Sequence, residues 1–226
     1  DKLYSVIAHD LRGPMGSIKM MLNMLLLSTD SKSIGEDSFE MLGMANQTTE
    51  EVFALLDNLL KWTKSQLGRL NVAYQDFNVV DVAKSVIEVF ASVAMLKKIN
   101  IRTEFPANLE VHADSDMVKT VVRNLLSNAI KFSNEGGNID VSVREEGDFA
   151  VISIRDYGRG IKAEDQEKLL HSDTHFSTFG TKNEEGSGLG LLLCQDFAEK
   201  NGGKLWFVSE ERMGSTFSFS IPKKQP

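Results

Sequence analysis

The hydrophobic pattern of this 226-residue chain changes period near residue 70, and the change excludes any single repeating architecture. Before it, Leu42, Asn46, Thr49, Phe53, Leu56, Leu60, Thr63 and Leu67 follow one another in alternating steps of four and three. That spacing is the inward seam of a coiled coil or helical bundle. Asn46, Thr49 and Thr63 place polar groups on the seam, which lowers stability and sets register. Upstream, Leu3, Ile7, Leu11, Ile18, Leu22 and Leu25 form one helical stripe, and Pro14 predicts a bend inside that helix. The stretch from Ser28 to Asp37, rich in Ser, Asp and Gly, reads as the turn joining two antiparallel helices. A lone hairpin buries little, so the pattern predicts dimerisation into a four-helix bundle.

Beyond Gly68 strand signals appear. The pattern predicts an extended segment over 72–80 and a helix capped by Asp81 and running to about Lys97. A strand follows over 99–105, then a helix opened by Asp114 and ending at Phe132. Strands over 138–144 and 149–155 are joined by the turn Glu146-Gly147-Asp148. A short helix is predicted over 163–170, a polar Gly-bearing stretch to Ser187, a helix over 189–200, and strands over 204–209 and 215–221. Strands joined by hairpins with helices between them predict an α+β fold, its helices on one face of a mixed sheet. Two domains result, 1–70 and 71–226.

Composition removes several function classes. A formal net charge of -7 argues against non-specific nucleic-acid binding, which needs a basic surface. The lone Cys194 excludes an internal disulfide framework and a cysteine zinc cluster, and fits a reducing compartment. No apolar run spans a bilayer: Met20 to Leu27 is short and contains Asn23. The start at Asp1, without an initiator Met, predicts a chain cut from a longer one.

Four segments carry residues suited to chemistry. His9 and Asp10 lie in the first helix, off its apolar stripe. A neutral imidazole is a competent nucleophile toward phosphorus, and an adjacent carboxylate orients it. A solvated histidine beside an acid presents the same pair. In the helix ending at Phe132, Asn124, Asn128 and Lys131 recur at steps of four and three, on one face. Two amides and an ammonium there suit hydrated Mg²⁺ and phosphate oxygens, or simply a solvated polar face. Asp156-Tyr157-Gly158-Arg159-Gly160 follows a strand. Its carboxylate suits an exocyclic amine such as that of adenine, and its glycines permit close backbone approach; a tight turn is the alternative. Gly186-Ser187-Gly188-Leu189-Gly190 precedes a helix, where converging N–H groups attract phosphate. No Gly-Lys-Ser/Thr follows, so this is not a P-loop.

In this order the segments resemble the histidine kinases of two-component signalling. His9 and Asp10 are similar to the phosphoacceptor motif, Asn124 to Phe132 to the N box, and Asp156 to Gly160 and Gly186 to Gly190 to the two glycine boxes. His175 to Phe179, with Thr178, sits where that family has its lid, and Gly214-Ser215-Thr216 resembles its final glycine turn. The resemblance implies a dimerisation and phosphotransfer hairpin followed by an α/β sandwich that holds ATP. It implies that Asp156 binds the adenine amine, that Asn124 and Asn128 hold Mg²⁺, that Lys131 touches phosphate and that Phe132 lines the pocket. Residues 171–187 would form a lid, with Gly186, Gly188 and Gly190 as its hinge onto the phosphates and Ser187 and Leu189 between them as nucleotide contacts. Gly158, Gly160, Thr178 and Thr216 complete the implied nucleotide contacts, and Lys182 is a lid cation to which no motif assigns a role. His9 would take the terminal phosphate and pass it to an aspartate of a response-regulator receiver domain. The location implied is cytoplasmic, in a parent anchored to the inner membrane through segments outside this sequence. Gly13 replaces the Thr or Asn that many relatives use to position water for dephosphorylation, so the resemblance implies a kinase poor at that reaction. Tyr157 replaces a common Asn. The rival is an ATPase of the gyrase or chaperone type, but those enzymes have a Glu where this chain has Asn124, and an amide is no general base. A module that only binds nucleotide and docks is the other alternative, and the presence of His9 argues against it.

Overall fold

The computed structural model describes residues 71–167 and 189–223 continuously, together with residue 169 and scattered positions between 15 and 67. The chain divides into two compact units, Asp1–Leu70 and Asn71–Pro226. In the first, residues 15, 16 and 18–27 are helical, as is every described position between 38 and 63. Of the predicted seam, Thr49 and Leu60 are buried, Leu42, Leu56 and Thr63 half-buried, and Leu67 exposed. Thr49 meets its polar need within the helix, its hydroxyl donating to the Ala45 carbonyl at 2.8 Å. Ile18 and Leu25 of the first stripe are exposed, as are Met21 and Met24 beside them.

Elements of the second unit are numbered from residue 71. Strand β1 (Tyr74–Asn78) pairs antiparallel with β3 (Glu110–Asp114), forming a two-stranded sheet. Helix α1 (Val79–Leu96) begins two residues before the predicted cap. Its cap is Asn78, whose side chain accepts from the Val80 N–H and from Leu109 N–H, both at 3.1 Å. Asp81 sits in the first turn instead, where its charge favours the helix dipole. One Asn side chain thus starts α1 and ties it to the run-in of β3.

Strand β2 (Asn100–Glu104) is followed by β3, which the pattern did not predict. Only Val111 and Ala113 supply apolar burial there, too few for alternation to stand out. Helix α2 (Ser115–Phe132) is capped by Asp114, as predicted: Oδ1 accepts from the Asp116 and Met117 N–H groups, both at 3.0 Å. Its other oxygen accepts from Ala73 N–H at 2.8 Å, anchoring the start of the unit.

Strands β4 (Asn138–Glu146) and β5 (Phe149–Asp156) form a hairpin through Gly147, which has φ 59°. Helix α3 (Ala163–Gln166) is shorter than predicted, and α4 (Leu189–Lys200) matches. Strands β6 (Leu205–Glu210) and β7 (Gly214–Pro222) close a five-stranded sheet in the order β2-β4-β5-β7-β6. Only β2 and β4 run parallel, so the sheet is mixed.

Strand alternation sorts the two faces. Ile139, Val141, Val143, Ile152, Ile154, Phe217, Phe219 and Ile221 are buried on one face with Val118, Val121, Val122, Leu125 and Leu126 of α2. Leu193, Cys194 and Phe197 of α4 complete that core. Arg102, Asp140 and Arg155 lie on the opposite face, in one row of the register. Buried Asn201 closes the layer, accepting from Asp114 N–H at 2.7 Å and donating to the Phe197 carbonyl at 2.7 Å.

Candidate functional site

The polar face of α2 is the spine of the site. Asn124, Asn128, Lys131 and Phe132 are all half-buried, while the flanking Arg123 and Ser127 are exposed. Eight residues of helix separate Asn124 from Phe132, about 12 Å at 1.5 Å per residue. That length suits a nucleoside triphosphate laid along the helix.

At the Phe132 end the chain from β5 arrives. Asp156 is the last residue of β5, on the core face of the sheet, and only 4% exposed. Its Oδ1 accepts from the Gly158 N–H at 3.0 Å. Burial pushes its carboxyl above the ordinary aspartate range, against the pull of the Gly158 and Ser215 N–H groups. A Cβ on Gly158 would lie 2.0 Å from the Phe132 carbonyl oxygen, so only glycine permits this contact. Gly160 has φ 63° and would meet the Glu210 carbonyl oxygen at 1.9 Å, so its need arises from the turn between β6 and β7. Arg159 rests its guanidinium 4.8 Å from the Phe132 ring centroid, and the Lys131 ammonium lies 5.7 Å from the same centroid.

The support behind Asp156 was not legible in the motif. Residues 156–161 are gripped by the β6–β7 turn: Arg212 N–H donates to the Arg159 carbonyl at 2.6 Å, and Ile161 N–H to Ser209 Oγ at 2.9 Å. Gln166 of α3 donates to the carbonyls of Ile161 and Ser209 at 2.8 and 3.1 Å. Gly214, at φ 95°, would place a Cβ 2.1 Å from the Asp156 carbonyl oxygen.

Thr216 is not brought to this group. The register pairs Asp156 with Ser215 and Arg155 with Thr216, so Thr216 falls on the opposite face of the sheet. Ser215 is the buried hydroxyl beside Asp156, 2.9 Å from Ser209 Oγ. A step of one residue along a strand reverses the face, and the motif alone does not fix that step.

Tyr157 also points away from the core side. Its hydroxyl donates to Asp140 Oδ2 at 2.5 Å, the Arg155 guanidinium lies 4.6 Å from its ring, and Arg102 binds Asp140 at 2.6 and 3.1 Å. The bond to Asp140 pushes the phenol above its ordinary value. Tyr157 therefore fastens the loop to the outer sheet face.

At the other end, α4 begins beside Asn124. A Cβ on Gly190 would lie 3.4 Å from Asn124 Oδ1, so the second glycine segment and the amide helix are neighbours. Asn124 donates Nδ2 to the Thr120 carbonyl at 3.1 Å, which turns Oδ1 toward α4. Amide oxygens are hard ligands suited to Mg²⁺ that keeps part of its water, so the donor set fits the metal. Among the described residues no group of three or more His, Cys, Asp and Glu side chains could hold a metal ion. Cys194, one turn into α4, is fully buried, and burial pushes its thiol far up, so it is packing rather than chemistry.

His9, Asp10, Gly13, Thr178, Lys182, Gly186, Ser187, Gly188 and the side chain of Leu189 lie outside the described residues.

Residues 113–225 match the family described as histidine kinase-, DNA gyrase B-, and HSP90-like ATPase. Over nearly the whole chain, 98% of it, the sequence is 31% identical to the adaptive-response sensory kinase SasA of Prochlorococcus marinus and spans 57% of that relative. The catalytic domain of histidine kinase ThkA is 30% identical, covers 67% of this chain and is itself 96% covered, with a TM-score of 0.59. Histidine kinase ThkA in complex with the response regulator protein TrrA shares the fold at 21% identity, with a TM-score of 0.66 over 99% of this chain and 62% of that one.

Proposed function

Because the chain belongs to the histidine kinase-, DNA gyrase B-, and HSP90-like ATPase family, and is similar to a sensory kinase and to the catalytic domain of a histidine kinase, we propose that it transfers the terminal phosphate of ATP to His9. The observation that carries the reading is the convergence on α2. Gly158, whose N–H Asp156 accepts, packs on its last residue, and the start of α4 meets Asn124 eight residues earlier. Adenine at the first place and phosphates at the second occupy one continuous track. The α4 N-terminus faces the phosphate end, where its N–H groups and dipole favour negative charge.

Each residue has a proposed part. Asp156 accepts the adenine amine, Phe132 covers the base side, and Lys131 neutralises phosphate. Asn124 and Asn128 hold Mg²⁺, which when bound offsets the charge that develops on the transferred group. Ser215 joins the adenine end in the place expected of Thr216. Gly158 and Gly160 shape the loop, and Gly186, Ser187, Gly188, Leu189 and Gly190 cradle phosphate. Thr178 and Lys182 belong to the lid. The neutral imidazole of His9 attacks, with Asp10 accepting its other N–H. Asn124 stands where a hydrolase of this family needs a general base, which favours transfer over hydrolysis.

Two helices over 1–70 would form the phosphotransfer hairpin. The exposed Ile18, Met21, Met24 and Leu25 supply apolar surface for a second protomer, which supports a homodimer. Onward transfer to a receiver-domain aspartate follows from the kinship, and Gly13 predicts weak dephosphorylation of that partner. No helix among the described residues is long and apolar enough to cross a membrane.

Incubation with ATP labelled at the γ-phosphate tests the reading. Label should appear on the protein, survive base and be lost in acid, and His9→Gln should bind ATP yet take none. Free phosphate alone would mean a hydrolase, and acid-stable label would mean another acceptor. Labelling should also decline in acid as the His9 imidazole takes up a proton and ceases to be a nucleophile.

A further inference from the structure

We propose that Lys97 is a positioning residue for the nucleotide site, its buried ammonium holding the last turn of α2 where Lys131 and Phe132 act. The inference rests on the ATP reading above and adds a residue that none of the motifs contains.

Lys97 directly follows α1, where the chain reverses through Lys98 at φ 54°. A lysine at a helix end ordinarily extends into water, yet Lys97 is only 6% exposed. A buried ammonium persists only where its donors are met. Nζ donates to the carbonyls of Ile130 and Lys131, both at 2.9 Å. These oxygens lie in the final turn of α2, where carbonyls lack partners within the helix and the dipole is negative. The Lys97 carbonyl in turn accepts from Gly136 N–H at 3.1 Å, joining the same lysine to the turn before β4.

The consequence reaches the site through the backbone. Lys131 is held from the core side at its carbonyl while its side chain belongs to the polar face of α2. Phe132 follows immediately, and its carbonyl is the surface on which Gly158 packs. The loop carrying Asp156 therefore rests on the segment that Lys97 fixes. Without the cation, the end of α2 loses its cap, and the ammonium and ring of residues 131 and 132 lose their placement together.

Titration of the whole chain with a fluorescent ATP analogue, beside thermal unfolding, tests this. Lys97→Met keeps the volume and removes the charge. At a temperature where circular dichroism shows it folded, it should bind about tenfold more weakly than the native chain. Lys97→Arg should recover part of that loss. Lys131→Ala should cost less affinity in the Lys97→Met background than alone, because both act at one place. Ile99→Val, a core change beside Lys97, reports what lost stability does by itself and should leave affinity unchanged. Native affinity in folded Lys97→Met, or full additivity with Lys131→Ala, overturns the proposal. Should Lys97→Met not fold, Lys97→Gln takes its place, and if neither folds the role is structural and the proposal falls. Failure of the native chain to bind the analogue sinks the ATP reading itself, a different result from normal binding in the variants.

Discussion

The two ends of the α2 track are built differently. At the Phe132 end, backbone packs on backbone: Gly158 against Phe132, Gly160 against Glu210 and Gly214 against Asp156, each too close for a Cβ. At the Asn124 end, side chains stand half-buried, and Gly190 approaches Asn124 only to ordinary contact distance. The first end is a shape set by its own backbone packing. The second is a set of polar groups whose geometry a charged ligand and its metal would complete. A flat base is recognised by a rigid slot, whereas phosphates need charge and donors that can follow a reaction.

Replacing one glycine at each end should separate the two most widely. Gly158→Ala drives a methyl into the Phe132 carbonyl and should destabilise the unit by about 3 kcal/mol, with nucleotide binding lost alongside. Gly190→Ala places its methyl in ordinary contact with Asn124 and should leave both the melting temperature and Mg²⁺-dependent binding nearly unchanged. Equal losses of stability at the two positions would erase the distinction.

Asp156→Asn separates recognition from stability at the rigid end. Burial raises the folded carboxyl above its unfolded value, so between the two values the folded state holds a proton that the unfolded state has released. The unliganded protein therefore loses stability as pH rises through the folded value, and Asp156→Asn should melt higher at neutral pH. The same variant should bind ATP roughly a hundredfold more weakly, having lost a charged acceptor. In the native chain, binding should weaken as pH falls through the folded value, and the Asn variant should lack that slope. Calorimetric titration across pH checks both, and a lower melting point for Asp156→Asn would contradict the account.

The smallest effect is expected at Tyr157. Tyr157→Phe keeps the ring beside Arg155 and removes only the bond to Asp140, an exposed interaction worth about 0.5 kcal/mol. Affinity should fall less than threefold by the same titration, and a larger loss would mean that the outer sheet face governs the loop after β5 more strongly than its exposure suggests.

Local chemistry made much of this legible. The cap of α2 at Asp114, the hairpin at Gly147, the spacing of Asn124, Asn128 and Lys131, and the alternation of β4 and β5 depend on neighbours within a few residues, and the sequence alone determined them. The cap of α1 at Asn78, strand β3, the choice of Ser215 over Thr216, the outward role of Tyr157 and the burial of Lys97 did not follow from spacing. Each depends on a partner far along the chain: Leu109 for Asn78, β1 for β3, Asp156 for Ser215, Asp140 for Tyr157, and the carbonyls of Ile130 and Lys131 for Lys97. Side-chain periodicity states which residues share a face, but not which strand lies alongside or which carbonyl lacks a partner. Only the tertiary structure decides that, because pairing register and desolvation are properties of two segments at once.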